Sequence, residues 1–312
     1  MADCSIVVLT YKGKHHLEYL LPTIQEAISN YKGDSRINVL IVDNGKDEVT
    51  RSYVNTQYPE YEYLFSPVND YLFSLNPYMK NINDEYSFIL NDDIKLDKEI
   101  LNELIPLMNA DPNLFSVNCK IFDWDGSYVV STVRVADYKK GWLNSYFITE
   151  EEGIKYTLYG SGGAAIFRTK FFNELGGFDD LYRPAYCEDA DLGIRAWQNG
   201  WTVISNPKAA LYHREGGTIK DQFKKDKLEQ AIYKNQVLWM LKNVRIKGFL
   251  FWFFLLLPNR LFVNTGKNKN VSIALMKAMP QFPKALKRRR KIKVKVRDEE
   301  WLPFLNKEYR KN

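Results

Sequence analysis

The chain has 312 residues, 45% of them hydrophobic and 26% charged, the balance of a folded protein with one large or two modest domains, which excludes disordered and collagen-like classes. Three cysteines (Cys4, Cys119, Cys187) with no CxxC pair exclude a disulfide scaffold and a zinc ribbon, and fit a reduced compartment. The net charge of +6 is divided: residues 1–219 hold 20 Lys+Arg against 31 Asp+Glu, whereas residues 220–312 hold 24 against 7, so an acidic front suits a cation and a basic back suits a polyanion.

The N-terminus enters an apolar run without a basic region or cleavage site, so no secretory signal peptide is expected. Residues 5–11 (SIVVLTY) read as a buried strand, and Leu17, Leu20, Leu21, Ile24 and Ile28 recur at helical spacing. Further strands are expected at 37–42, 61–65 and 86–90, the last ending abruptly at Asn91-Asp92-Asp93. A helix over about 97–109 and a strand over 115–122 follow, then a turn at 123–126. Residues 134–156 show no clear pattern. A Gly-rich turn at 160–163, a small helix near 169–175, a helix over 189–199, a strand over 201–205 and a short extended piece at 211–213 complete the front. Strands alternating with helices indicate an α/β fold with a mostly parallel twisted sheet flanked by helices. Beyond about 220, Tyr233, Val237, Leu241 and Val244 keep helical spacing, nine apolar residues run from Phe249 to Leu257 before Pro258, and residues 284–297 carry nine basic residues and no acidic one. A C-terminal helical, basic extension is therefore expected.

Two acidic clusters carry the chemistry. Asp92 and Asp93 follow a buried strand, where open parallel sheets bind their ligands. Adjacent carboxylates repel, and a hard divalent cation such as Mg²⁺ or Mn²⁺ relieves this while chelating phosphate oxygens; helix capping is the plainer reading. Glu188, Asp189 and Asp191 open a helix, which compensates its dipole, yet three acids exceed what a cap needs and leave one for proton transfer or ligation. His213 gains interest only beside these carboxylates, as imidazole ligates Mn²⁺. Asp43 ends the second strand as a turn residue, placed also to accept from a pyrimidine imide. The 160–163 turn has no Lys and is not a phosphate loop; its glycines, Gly162 and Gly163 among them, suit close backbone approach to a substrate.

In order and spacing, these blocks resemble the family 2 glycosyltransferases of GT-A fold over roughly residues 5–219. The blocks are Ser5–Tyr11, Asn38–Gly45, Phe88–Ile94, Gly176–Asp179, Tyr186–Arg195 and His213. The resemblance implies a nucleotide-sugar half (1–95) and an acceptor half (96–219), with residues 220–312 as a separate C-terminal region. It implies that Thr10, Tyr11 and Asp43 cradle the base and that Asp93 and His213 hold the metal. It further implies that Asp189 is the general base, and that Gly162, Gly163, Glu188, Asp191 and Arg195 lie on the acceptor side. The first acid of the usual DxD is Asn91 here, as in the rhamnosyltransferase-like branch, with Asp92 a substitute for the donor contact. The implied reaction is inverting transfer of a sugar from a dTDP-, UDP- or GDP-sugar to a glycan or lipid-linked acceptor, in cell-surface polysaccharide synthesis, with Mn²⁺ or Mg²⁺.

Two other classes fit parts of the sequence. A sugar nucleotidyltransferase would release pyrophosphate and needs a basic phosphate loop, of which Lys12-Gly13-Lys14 is a faint version. A basic-tail nucleic-acid binder would bind with steep salt dependence, but no RNA-binding motif accompanies the tail, so no nucleic-acid partner is expected. Nine apolar residues are short of the roughly 20 a membrane helix needs. They suit either a core helix or an interfacial one beside the polybasic run, which places the protein in the cytoplasm, peripheral on an anionic inner membrane face.

Overall fold

The computed structural model describes residues 2–149, 153–214, 225–263 and 269–306. Its strands are β1 (Cys4–Thr10), β2 (Ile37–Asp43), β3 (Glu62–Phe65), β4 (Tyr86–Asn91), β5 (Ile94–Leu96), β6 (Leu114–Asp123), β7 (Val129–Ser131), β8 (Val133–Lys139), β9 (Trp142–Ile148), β10 (Lys155–Tyr156), β11 (Ala164–Arg168) and β12 (Thr202–His213). The helices of the front are α1 (Lys14–Ser29), α2 (Glu48–Gln57), α3 (Asn76–Met79), α4 (Ile100–Ala110), α5 (Thr169–Glu174) and α6 (Glu188–Gln198). Those of the back are α7 (Lys225–Asn243), α8 (Phe249–Val263), α9 (Lys269–Ala278), α10 (Phe282–Lys291) and α11 (Asp298–Asn306).

The main sheet runs β10-β12-β6-β11-β4-β1-β2-β3. The expected α/β sheet is present: β3, β2, β1 and β4 are parallel neighbours, as are β6 and β12, and β11 lies antiparallel between the two groups. Both faces are covered, and the alternation along β1 shows it. Ile6 and Val8 pack under α1 and α4 with Leu17, Leu20 and Leu104, while Val7 joins the opposite core with Val42, Ile89 and Phe167. The chain passes from β1 to β2 on one side and later to β4 on the other. A crevice therefore opens at the carboxyl ends of β1 and β4, at Thr10 and Asn91.

Helix α2 and strand β11 are additional to the sequence expectation, and three further elements differ from it in form. Residues 133–148 form a hairpin, β8–β9, closed by Lys140 and Gly141, both at positive φ (43° and 72°), which gives the backbone twist that two-residue hairpin turns favour. The pieces at 201–205 and 211–213 are one strand, β12, interrupted by a register shift between Asn206 and Ala210, where Pro207 has no N–H to give the ladder. The apolar helix α8 does not stop at Pro258. The Arg260 guanidinium, 4.9 Å from the Trp142 ring, reaches the Phe253 carbonyl at 3.4 Å and the Lys140 carbonyl at 2.8 Å, which ties the helix beyond the proline to the β8–β9 turn.

The back helices are continuous with the front. Trp239, Leu241, Phe249, Phe253 and Trp301 share one apolar cluster with Trp197, Val203 and Leu143. Gln198 on α6 donates to Asn243 and to Asp298 at 2.8 Å each. The boundary expected at 219/220 lies outside the described residues.

Candidate active site

A cleft of about 550 Å³ opens over the carboxyl ends of the strands. Its floor is Leu9, Thr10, Tyr11, Asn91, Asp92 and Asp93, with His213 beside Asp93; its far wall is Ser161, Gly162, Gly163, Glu188 and Asp189. The two acidic clusters, 96 residues apart between Asp93 and Asp189 in the sequence, thus face one space.

The topology sets the positions on the floor. Thr10 ends β1, and its hydroxyl donates to Asp92 Oδ2 at 2.5 Å. Burial pushes the Asp92 carboxyl up to about 7, against the opposing pull of that hydrogen bond. Gly13 is required here, because a Cβ would run into Asp92 and Thr10. Gly163 is required for the same reason: a Cβ there would strike the Asn91 side chain, and its carbonyl accepts from the Asn91 N–H at 3.0 Å. Asp43 is fully buried and lies outside the set of described lining residues. Its carboxylate accepts from the Gly45 and Asp47 N–H groups (2.6 and 2.7 Å) and from the Tyr63 hydroxyl (3.0 Å), so it shapes the turn under Asn44, which does line the cleft.

β12 brings His213 to Asp93. The antiparallel register pairs His213 with Ile94, and the Arg214 N–H donates to the Asp93 carbonyl at 2.9 Å. His213 Nε2 lies 3.4 Å from Asp93 Oδ2, while Asp93 Oδ1 is buried with no hydrogen-bond partner. A lone buried carboxylate oxygen beside an imidazole fits a divalent cation. Among the described residues no cluster of three or more His, Cys, Asp or Glu has metal-site geometry. Asp93 and His213 are thus a two-ligand set, of the kind that Mg²⁺ and Mn²⁺ complete with phosphate oxygens and water.

The opposite wall begins with two consecutive non-glycine residues at positive φ, Tyr186 and Cys187 (74° each), which turn the chain into α6. Asn235 of α7 holds this turn. Its amide is aimed at the carbonyls of Tyr182 (2.5 Å), Ala185 (2.8 Å) and Tyr186 (3.1 Å). Glu188 and Asp189 follow. Burial raises the carboxyl of each above its ordinary range, and the neighbouring Asp189 charge adds to the rise at Glu188. The N–H groups of Ala190 and Gly162 and the charge of Arg134 partly oppose it at Asp189. Asp189 is half-exposed to the cleft, and Glu188 Oε2 is buried and unpartnered. A carboxylate that is accessible and more basic than usual can take a proton near neutral pH.

Asp191 and Arg195, expected on the acceptor side, are not among the described lining residues. Two and six residues after Asp189 on α6, they are buried in the core. Burial disfavours the Asp191 charge, but Arg195 and Lys242 outweigh it and hold its carboxyl well below the usual range. Arg195 also donates to the Leu175 and Gly177 carbonyls (2.5 and 2.9 Å), so both residues brace α6 rather than face substrate.

The sequence reading missed two contributors. Arg134 enters the cleft from β8, and Ile232, Gln236 and Trp239 enter it from one face of α7. Alternation of Val133 and Val135 around Arg134, with the Lys-Gly turn, was the available signal for the first. The spacing of 232, 236 and 239 was the signal for the second.

Comparisons with known proteins bear on the family and the fold. The chain is 24% identical over 244 residues to the N-acetylglucosaminyl-diphospho-decaprenol L-rhamnosyltransferase of Mycobacterium tuberculosis, covering 69% of this chain and 78% of that protein. It is 28% identical over 148 residues to a probable glucomannan 4-beta-mannosyltransferase 7 of Oryza sativa, covering 45% of this chain and 24% of that one. Its fold matches GalNAc-T7, solved with UDP, GalNAc and Mn²⁺ (TM-score 0.62, 12% identity, 91% of this chain and 56% of that one). It also matches S. aureus TarS 1-349 in complex with UDP-GlcNAc (TM-score 0.58, 15% identity, 91% and 81%). Residues 88–278, which span the Asp93 floor, the α6 wall and α7, match the profile of glycosyl transferase family group 2. With more than half of its length in that match and a GT-A-like fold around the cleft, the chain belongs to the family 2 glycosyltransferases.

Proposed function

We propose that this glycosyltransferase transfers a sugar, with inversion, from a nucleoside-diphosphate sugar to a lipid-linked glycan acceptor in cell-surface polysaccharide synthesis. The observation that carries the reading is the pairing across one cleft of a cation-ready Asp93–His213 site and a carboxylate pair, Glu188–Asp189, made unusually basic by burial. Asp93 and His213 would hold Mn²⁺ or Mg²⁺, which supplies charge neutralisation for the departing diphosphate. Thr10, Tyr11, Asn44 and Asn91 line the donor end, and Asp92, braced by Thr10, orients the floor. Asp189 takes the proton from the attacking hydroxyl. One base opposite one leaving group gives a single displacement, hence inversion. The rhamnosyltransferase relative supports a deoxyhexose donor and a diphospholipid acceptor. A panel of dTDP-, UDP- and GDP-sugars, scored by released nucleoside diphosphate with and without Mn²⁺, tests this; release of pyrophosphate would instead indicate a nucleotidyltransferase.

The same reading puts the protein on an anionic membrane face from the cytoplasmic side. No helix among the described residues is long and apolar enough to cross a membrane. α8 docks through Phe249, Phe253 and Leu257 and leaves Phe251, Trp252, Phe254 and Leu255 exposed. These aromatics, with exposed Lys287, Arg290, Lys291 and Lys293, support an interfacial contact.

A further inference from the structure

Among the described residues, Arg134 is a cation without an ion-paired anion. Its backbone is fixed on both sides: the Arg134 N–H donates to Thr157 Oγ1 at 2.8 Å, and its carbonyl accepts from the Leu158 N–H at 2.7 Å. Its cross-strand partner on β9 is Phe147, and the guanidinium carbon lies over that ring, 3.3 Å from its centroid, with the Tyr159 ring at 5.6 Å. The long side chain is therefore held in one pose before any ligand arrives. Its one side-chain hydrogen bond is a long one to Ser145 Oγ, 3.4 Å, and Nε is buried with no partner. No carboxylate among the described residues forms an ion pair with it. Asp189 feels its charge but is not paired with it. Arg134, Ser145, Tyr159 and Asp189 all line the cleft, on the side of the base.

A planar donor fork, immobilised and unpaired, matches the oxygens of a phosphate. A neutral sugar would leave its charge uncompensated in a partly desolvated place. We propose that Arg134 anchors a phosphate group carried by the acceptor, so that the enzyme selects acceptors whose sugar is linked through phosphate. This rests on the glycosyltransferase reading given above and adds to it the residue that recognises the acceptor's phosphate. Two phosphates meet in such a cleft, the donor's diphosphate and the acceptor's. The first belongs with the Asp93–His213 end, and the second with the Asp189 end, where Arg134 stands.

The test compares two acceptors, N-acetylglucosamine on octyl diphosphate and octyl N-acetylglucosaminide, with whichever donor the wild type uses. The wild type is expected to favour the phosphorylated acceptor in kcat/KM by at least about 30-fold. Arg134→Met should bring that ratio close to one, and Arg134→Lys should keep part of it, because an ammonium retains charge without the fork. Loss of Arg134's field at Asp189 slows both acceptors alike and cancels in the ratio. A cooperative thermal transition followed by circular dichroism reports folding of the variants. A wild type indifferent to the phosphate, or a ratio that survives Arg134→Met, overturns the inference. So does a loss that falls on nucleotide-sugar affinity, which would give the arginine to the donor. A wild type that transfers to neither acceptor overturns the lipid-linked transferase reading together with this one.

Discussion

Lys242 of α7 and Asp191 of α6 form a buried ion pair, Nζ to Oδ1 2.5 Å, and the same ammonium reaches Asp179 Oδ2 at 2.6 Å. Tyr182 and Asn243 donate to the same Asp191 oxygen, and Arg195 to the other. One cation from the C-terminal region thus ties down both ends of the segment that carries the base. Lys242→Met should cost about 3 kcal/mol, since it takes a buried cation from two carboxylates at once, leaving the fully buried Asp191 with Arg195 as its charge partner and Asp179 with Arg288. Chemical denaturation should show this as a lower midpoint at unchanged slope.

Asp191 also sets an acid limit. Its folded carboxyl lies below the usual value, whereas in the unfolded chain it returns to about 4. The unfolded state therefore binds more protons below about pH 5, and the contribution is lost as pH falls through the folded value. Stability measured from pH 7 down to pH 3 should fall less steeply in Asp191→Asn than in the wild type, from a lower starting point.

Asp189→Asn keeps shape but cannot accept a proton, so kcat should drop by two or more orders of magnitude with donor affinity intact. The wild-type rate should rise with pH through an apparent value above the ordinary carboxylate range, because burial raises both members of the Glu188–Asp189 pair. If Glu188→Gln is the inactive variant and Asp189→Asn is active, the base is one position earlier.

Asp93→Ala should abolish cation-dependent turnover and weaken Mn²⁺ binding measured by calorimetry in the presence of nucleoside diphosphate. The protein should remain folded, since Asp93 Oδ1 has no protein partner to lose. Full wild-type activity in excess chelator would refute the metal role.

The membrane contact is separable from chemistry. Phe251→Ser with Leu255→Ser, or Lys287, Arg290, Lys291 and Lys293 all changed to Gln, should reduce co-sedimentation with anionic liposomes and spare turnover on a soluble acceptor. High salt should mimic the charge variant alone. Arg288 and Arg289 are unsuitable for this experiment. Arg288 pairs with Asp179 and Asp180, and Arg289 donates to the Leu241 carbonyl at 3.1 Å.

The parallel strands and both acidic clusters were legible in the sequence, because buried strands need apolar runs and Asn91–Asp93 and Glu188–Asp191 interrupt apolar surroundings. The hairpin β8–β9 was not, since aromatics stand exposed on both of its faces, Tyr146 on one and Phe147 on the other, and blur the alternation. Arg134 was hidden with it. Asp191 and Arg195 were indistinguishable from site residues, because nothing local marks a carboxylate whose partner, Lys242, lies 51 residues away. The polybasic run looked uniform, yet the fold spends Arg288 and Arg289 on internal contacts.

Asn235 gives the C-terminal region a role in timing. A ribosome that has delivered residues 1–224 has made every candidate metal ligand and the base, but not the amide that holds the Tyr186-Cys187 turn, nor Lys242, nor the aromatics that complete the core. The nascent chain at that stage has its chemistry unassembled and an apolar face uncovered. Competence for transfer therefore waits until α7 has been made and has seated against α6.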